Sequence, residues 1–246
     1  MHKTQQEART WWEACAHLAG PAVDLLLFAP ATVLAPLHQL GVPPGMALGA
    51  QDLHPADAGA FTGALSGPML RDAGATAVLV GHSERRRLFG ESLASSAERL
   101  QAACRSQLRP VLCVGETAEE RRAGIAQATV TAQVVAATAG LPGAAFEQLV
   151  VAYEPVWAIG SGQSASCVEA QQMHQHVRSL LRQRCAAAGQ PSSLAEQLPI
   201  LYGGSVTPQN AASFLAQPDV QGALVGSASL DPAAFADIVA AAAGGL

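Results

Sequence analysis

The chain has 246 residues, half of them hydrophobic, and a formal net charge of −5 at neutral pH. That length suffices for one large core, and a single α/β barrel of roughly 250 residues is an ordinary outcome for it. The acidic balance argues against nucleic acid as the main partner, because non-specific binding to a polyanion rests on a basic surface.

Short apolar runs alternate with segments of helical period along the whole chain, the pattern of repeated βα units around a parallel sheet. A helix over Gln5 to Leu18 comes first. Strands are expected at Asp24 to Ala29, Ala47 to Gln51, Ala77 to Gly81, Pro110 to Gly115, Leu149 to Glu154, Pro199 to Gly203 and Gly222 to Gly226. The helices that follow them are expected at Ala31 to Leu40, Pro68 to Asp72, Ser92 to Arg105, Glu119 to Thr138, Cys167 to Ala188, Asn210 to Leu215 and Pro232 to Ala242. Gly189 to Gln197, with its proline and serines, reads as a surface loop. Eight helices against seven strands leave one strand wanting ahead of Gln5. The expected fold is thus an α/β (β/α)8 barrel with its first β-strand missing from this chain.

No apolar run approaches the roughly 20 residues of a membrane span, and the polar opening lacks the character of a signal peptide. Five cysteines at 15, 104, 113, 167 and 185 form no C-x-x-C pair and leave one over in any pairing. That usage suits a reducing cytosol, so a cytoplasmic location is expected. The arginine runs Arg85-Arg86-Arg87 and Arg121-Arg122 read as solvated helix faces.

The chemistry concentrates at strand ends. Glu154 closes the apolar run Leu149-Val150-Val151, and Pro155 behind it stops the strand. Val156, Trp157, Ala158 and Ile159 then lie between two breakers, with Gly160 and Gly162 as hinge material, so the segment reads as a lid that excludes water from a carboxylate base. His82 follows the strand ending at Gly81 and points to the same barrel mouth. Ser83 begins a short helix, and a helix amino terminus near the ring favours neutral imidazole. The glycine-containing segments Gly203-Gly204-Ser205 and Gly226-Ser227 leave the last two strands, where barrels often hold phosphate on backbone N–H groups. His174 and His176, two apart on a helix, diverge too far to share a metal. Cys113 follows the packing pattern of its strand, no dinucleotide fingerprint is present, and neither metal nor cofactor is expected.

Together these segments resemble the triosephosphate isomerase family along the whole chain. The resemblance implies that Glu154 is the base that shuttles a proton between two substrate carbons and that His82 is the neutral electrophile. Those roles, together with loop closure, are the standard account of that family. It further implies that Gly160, Ser205, Gly226 and Ser227 hold the phosphate of a triose phosphate, that Tyr202 and Trp157 anchor the lid, and that Glu84 organises the site by pairing with a lysine. The loop around Thr62 resembles one that inserts into a second copy, implying a homodimer, although Ala64 stands where the family often carries an acid and Ser227 replaces a glycine. The family's Asn-x-Lys motif at the end of a first strand is absent from Met1-His2-Lys3-Thr4, and Lys3 falls out of register with it. A natural start upstream, adding that strand, is expected. The competing reading is a non-catalytic phosphosugar-binding barrel without the lysine.

Overall fold

The computed structural model of the protein describes residues 2–159 and 164–244. Its first element, α1 (Gln5–Cys15), opens on a reciprocal cap in which Thr4 accepts from the Glu7 N–H and Glu7 accepts from the Thr4 N–H. A single 3₁₀ turn, Ala16–Leu18, ends it. The strands are β1 (Leu25–Ala29), β2 (Met46–Ala50), β3 (Ala77–Val80), β4 (Arg109–Val114), β5 (Val150–Tyr153), β6 (Ile200–Tyr202) and β7 (Gly222–Ala223). They pair in parallel and in chain order, each with the next.

Between the strands run α2 (Ala31–Gln39), α3 (Gly67–Asp72), α4 (Ser83–Phe89), α5 (Leu93–Arg105), α6 (Ala118–Arg122), α7 (Ala126–Ala137), α8 (Cys167–Ala187), α9 (Ser192–Gln197), α10 (Ala211–Leu215) and α11 (Pro232–Ala243). Two expectations are corrected here. The helix anticipated over Glu119 to Thr138 is broken in two, because Gly124 takes φ +73° and turns the chain between α6 and α7. The stretch anticipated as a surface loop contains α9, whose Ala195 is fully buried against the core.

Burial alternates along the strands and divides the core into two layers. Val78, Val80, Leu112, Val114, Val151, Tyr153, Ile200 and Tyr202 face the helices in the larger cluster. Leu79, Val111, Cys113, Val150 and Ala152 point the other way and form a second cluster, with Leu26 and Phe28 of β1 and Leu201 of β6 packed on it. Neighbouring strands lie about 4.8 Å apart, so in a flat sheet β1 and β6 would stand on the order of 24 Å from each other. Their meeting on one cluster means that the sheet curls round on itself, as a barrel wall does. Among the described residues no strand precedes α1 and no ladder joins β7 to β1. On that side α1 packs near α11, where Trp11 donates to the Ser229 carbonyl at 2.8 Å and its ring meets Phe235.

Candidate active site

His82 and Glu154 come from strands that are not neighbours, β3 and β5, with β4 between them. Glu154 continues the inward alternation of Val150 and Ala152, and its backbone N–H extends the β4–β5 ladder to the Val114 carbonyl at 2.7 Å. Gly81, at φ +69°, breaks the regular progression of β3 and starts the turn into α4, for which His82 is the capping residue. The two side chains meet with His82 Nε2 2.9 Å from Glu154 Oε1. The second carboxylate oxygen, Oε2, accepts the Ser83 N–H at 2.9 Å. Glu154 is buried, and each of its oxygens has one donor.

The ring tautomer follows from its other nitrogen. His82 Nδ1 accepts the Glu84 N–H at 3.3 Å, so the proton of a neutral ring sits on Nε2, aimed at Glu154. Burial alone would depress the ring's pKa, but the Glu154 hydrogen bond and charge, with a contribution from Glu84, outweigh it and hold His82 above its ordinary value. In this ligand-free geometry the Glu154 contact thus works against the neutral imidazole that was expected. The helix N–H acts on Nδ1 as anticipated, and the carboxylate opposite it is stronger.

Around this pair the structure adds groups that sequence reasoning passed over. Glu116, directly after Gly115 at the end of β4, has the same strand-end placement as Glu154, and that was the available signal. Its fully buried carboxylate accepts from Trp157 Nε1 at 2.8 Å, from the Tyr153 hydroxyl at 3.2 Å and from Arg121 at 3.3 Å. Trp157, in the 3₁₀ turn Val156–Ala158, also lies under the Arg121 guanidinium. Tyr202, the other expected lid anchor, is buried and stacked on Phe214 with ring centroids 4.0 Å apart.

The arginine runs are solvated only at Arg87 and Arg122. Arg85 and Arg99 bracket Asp52 and Glu91 in a four-membered ionic cluster in which the Glu91 side chain is almost wholly buried. Burial raises the Asp52 pKa in spite of both arginines. Arg121 likewise pairs with Glu116 and Glu169.

Of the residues expected to hold phosphate, Ser205, Gly226 and Ser227 are all exposed. Ser205 lies in a turn tied by Asn210, which donates to the Ser205 carbonyl at 2.9 Å and accepts the Thr207 N–H at 2.8 Å. Gly226 caps the 3₁₀ turn Ser227–Leu230, where its carbonyl accepts from the N–H and hydroxyl of Ser229. Gly160, with Gly162, lies outside the described residues. Glu84 is exposed and makes no ion pair among the described residues, and Lys3 donates its ammonium to the Leu230 carbonyl at 2.9 Å. No group of three or more metal-ligating side chains occurs among the described residues.

A family model described as triosephosphate isomerase matches residues 1–242. The chain belongs to the triosephosphate isomerase family. A triosephosphate isomerase of Roseiflexus sp. (strain RS-1) is 47% identical over 241 residues, covering 97% of this chain and 93% of the relative. That of Halorhodospira halophila is 45% identical over 245 residues, covering 100% and 96%, and that of Moorella thermoacetica 44% over 240 residues, covering 97% and 94%. An acid and an imidazole at the carboxyl ends of separate strands are therefore set in a triosephosphate isomerase framework, and the sheet order and the β3 and β5 ends agree with it.

Proposed function

We propose that this protein is an isomerase that interconverts dihydroxyacetone phosphate and D-glyceraldehyde 3-phosphate, a reaction of glycolysis and gluconeogenesis, through an enediolate and without a cofactor. The observation that carries the reading is the 2.9 Å pairing of a buried Glu154 with His82 at the barrel mouth. Glu154 takes a proton from the hydroxyl-bearing carbon beside the substrate carbonyl; that C–H pair becomes the carbon–carbon double bond while the carbonyl π pair moves onto its oxygen. His82 Nε2–H donates to that oxygen. The hydroxyl proton of the first carbon passes by way of His82 Nε2 to that oxygen. As the first carbon's oxygen becomes a carbonyl, the double-bond pair takes the proton back from Glu154 at the neighbouring carbon, so acid and imidazole both end as they began.

Substrate oxygens must first replace Glu154 at the imidazole. Once that contact is gone, only the Glu84 charge still favours protonation, and burial, the Arg86 charge and the Glu84 N–H at Nδ1 oppose it, which suits the neutral donor that the chemistry needs. Ser205, Gly226 and Ser227, exposed at the ends of β6 and β7, are the phosphate contacts in this reading, and Gly160 joins them from the lid. Glu84 acts through its backbone here. Trp157 on Glu116 is the resting anchor of the lid.

Two further assignments accompany the first. A homodimer formed through the loop around Thr62 is supported by the exposed Phe61, Leu88 and Phe89 and by a cavity of about 350 Å³ lined by Asp52, Gly63, Ala64 and Arg85. A cytoplasmic location is supported by five free cysteines, and no helix among the described residues is long and apolar enough to cross a membrane.

The test pairs a coupled isomerase assay with a titration of a phosphate-bearing substrate analogue. Turnover in both directions supports the proposal. Analogue binding without turnover would put the non-catalytic phosphosugar-binding barrel in its place.

A further inference from the structure

The gap between β3 and β5 is filled by the end of β4, so the spacing of acid and imidazole depends on a third strand that touches no reacting atom. Its contact point is Gly115. A Cβ on Gly115 would collide with the carbonyl of Glu154, so the backbones of the two strands lie in direct contact there. The Gly115 peptide is gripped on both sides by Gln133 of α7, whose Oε1 accepts the Gly115 N–H at 2.7 Å and whose Nε2 donates to the Gly115 carbonyl at 3.1 Å.

A second side chain ties the same peptide to β3. Arg86, one turn into α4 from His82, donates from Nη2 to the Gly115 carbonyl at 3.1 Å and from Nη1 to the Cys113 carbonyl at 2.9 Å. Nη1 also donates to the carbonyl of Gly81, the peptide that carries His82 on its other side. A planar guanidinium with donors in a fixed fork can hold three carbonyls in one arrangement, which a lysine ammonium on a flexible stem cannot reproduce.

We propose that Arg86 and Gln133 are positioning residues that set the His82–Glu154 separation by clamping Gly115 between the ends of β3 and β5. This rests on the isomerase reading above for its consequence in catalysis, and on the ligand-free geometry for the clamp itself. Neither residue touches substrate. A displacement of about 1 Å between reacting groups can cost on the order of 100-fold in rate, so a loosened spacer is enough to slow turnover with binding intact.

The test uses Arg86→Lys and Gln133→Met in the full-length protein. Lysine keeps the positive charge near His82, so any change in the ring's titration reports geometry and not the loss of a neighbouring charge. Methionine keeps the length of Gln133 and removes both of its bonds. In ligand-free protein, the ¹⁵N shifts of the His82 ring are followed through its titration, with circular dichroism as the check on folding. Both variants are expected to titrate at lower pH than the parent, because the Glu154 contact that raises the ring's pKa is slackened. In the isomerase assay kcat falls about tenfold to 100-fold while KM stays within about threefold. The double variant costs less than the product of the singles, since both side chains hold one carbonyl. Folded variants whose His82 titration matches the parent would overturn the proposal, as would kcat and KM changing together. A parent protein without turnover would count against the isomerase reading, and the titration would still decide this one.

Discussion

The β3–β5 side of the sheet and its β6–β7 side are secured at opposite ends. At the mouth, β3, β4 and β5 are bound to one another by Arg86, Gln133 and the donors that converge on Glu116, beside a fully buried Glu154. β6 and β7 are three and two residues long, and their main fixture is at the other end of the strands. There Arg178 of α8, itself buried, donates to the carbonyls of Ala195 and Leu198 and to Gln221, which in turn accepts the N–H of Ile200 as β6 begins. On the proposed function, the difference follows what each side would hold. Proton transfer between fixed groups demands placement to a fraction of an ångström, whereas an anion is gripped by backbone groups at exposed turns that tolerate adjustment.

Breaking the lower fixture gives the largest effect expected. Arg178→Met strands the Ala195 and Leu198 carbonyls and leaves Asp219, 3.6 Å away, without its cation. Removing one partner of a buried ion pair costs about 3 to 5 kcal/mol, read as a lowered denaturant midpoint. A loss under about 1 kcal/mol would mean that β6 and β7 are held by packing alone.

The same side also contains an acid-sensitive element. His174 donates from Nδ1 to the Asp219 carbonyl at 2.9 Å and is wholly buried between Tyr153 and Tyr202. Burial pushes its pKa down to about 4, with the Asp219 contacts opposing. Because the unfolded ring binds its proton near 6.5, acidification favours the unfolded chain, and this contribution to stability is lost as pH falls from about 6.5 towards 4. At 1.36 kcal/mol per pH unit the loss is about 3 kcal/mol. His174→Gln should flatten that slope in melting curves taken across this range, and an unchanged slope would assign acid sensitivity to other groups.

On the clamped side the corresponding experiment is Glu154→Asp, which withdraws the carboxylate by one methylene from His82 and the Ser83 N–H. Turnover should fall by on the order of 100-fold, with KM little changed. Near-normal turnover would remove Glu154 from the role of base.

The contrast between the two sides also explains what could be read in advance. All seven strands were legible, since apolar runs bounded by Gly, Pro or polar residues are local signals. Their ends moved by a residue or more, and β7 proved shorter than the run that contains it. His82 and Glu154 were visible for the same reason, as polar residues where such runs stop. The pull of Glu154 on the His82 proton went unseen because the helix N–H is a local feature and the opposing carboxylate arrives from a distant strand. Arg85, Arg86 and Arg121 were read as solvated because a charge run carries no record of the carbonyls and acids that the fold brings to it. The helix Ser192–Gln197 escaped notice since it is short and has Pro191 at its cap, with no side-chain cap to announce it.

The smallest effect expected tests the Trp157 end of the clamped side. Trp157→Phe removes the indole donor at 2.8 Å from Glu116, while Tyr153 and Arg121 still satisfy that carboxylate. The Arg121 guanidinium keeps an aromatic face beneath it, although phenyl is a weaker partner than indole. Hydrogen bonds to charged groups contribute about 1.5 to 3 kcal/mol, and with two donors remaining the cost should fall at the lower end of that range. For a chain of this size about 1.5 kcal/mol lowers the melting temperature by roughly 3 to 6 °C. The variant separates two roles for the indole. If it only fastens the resting segment, melting drops and kcat/KM is held within about threefold. A larger fall in kcat/KM than in stability would mean that Trp157 also shapes the site during turnover, and that its part in the proposed function goes beyond fastening Glu116.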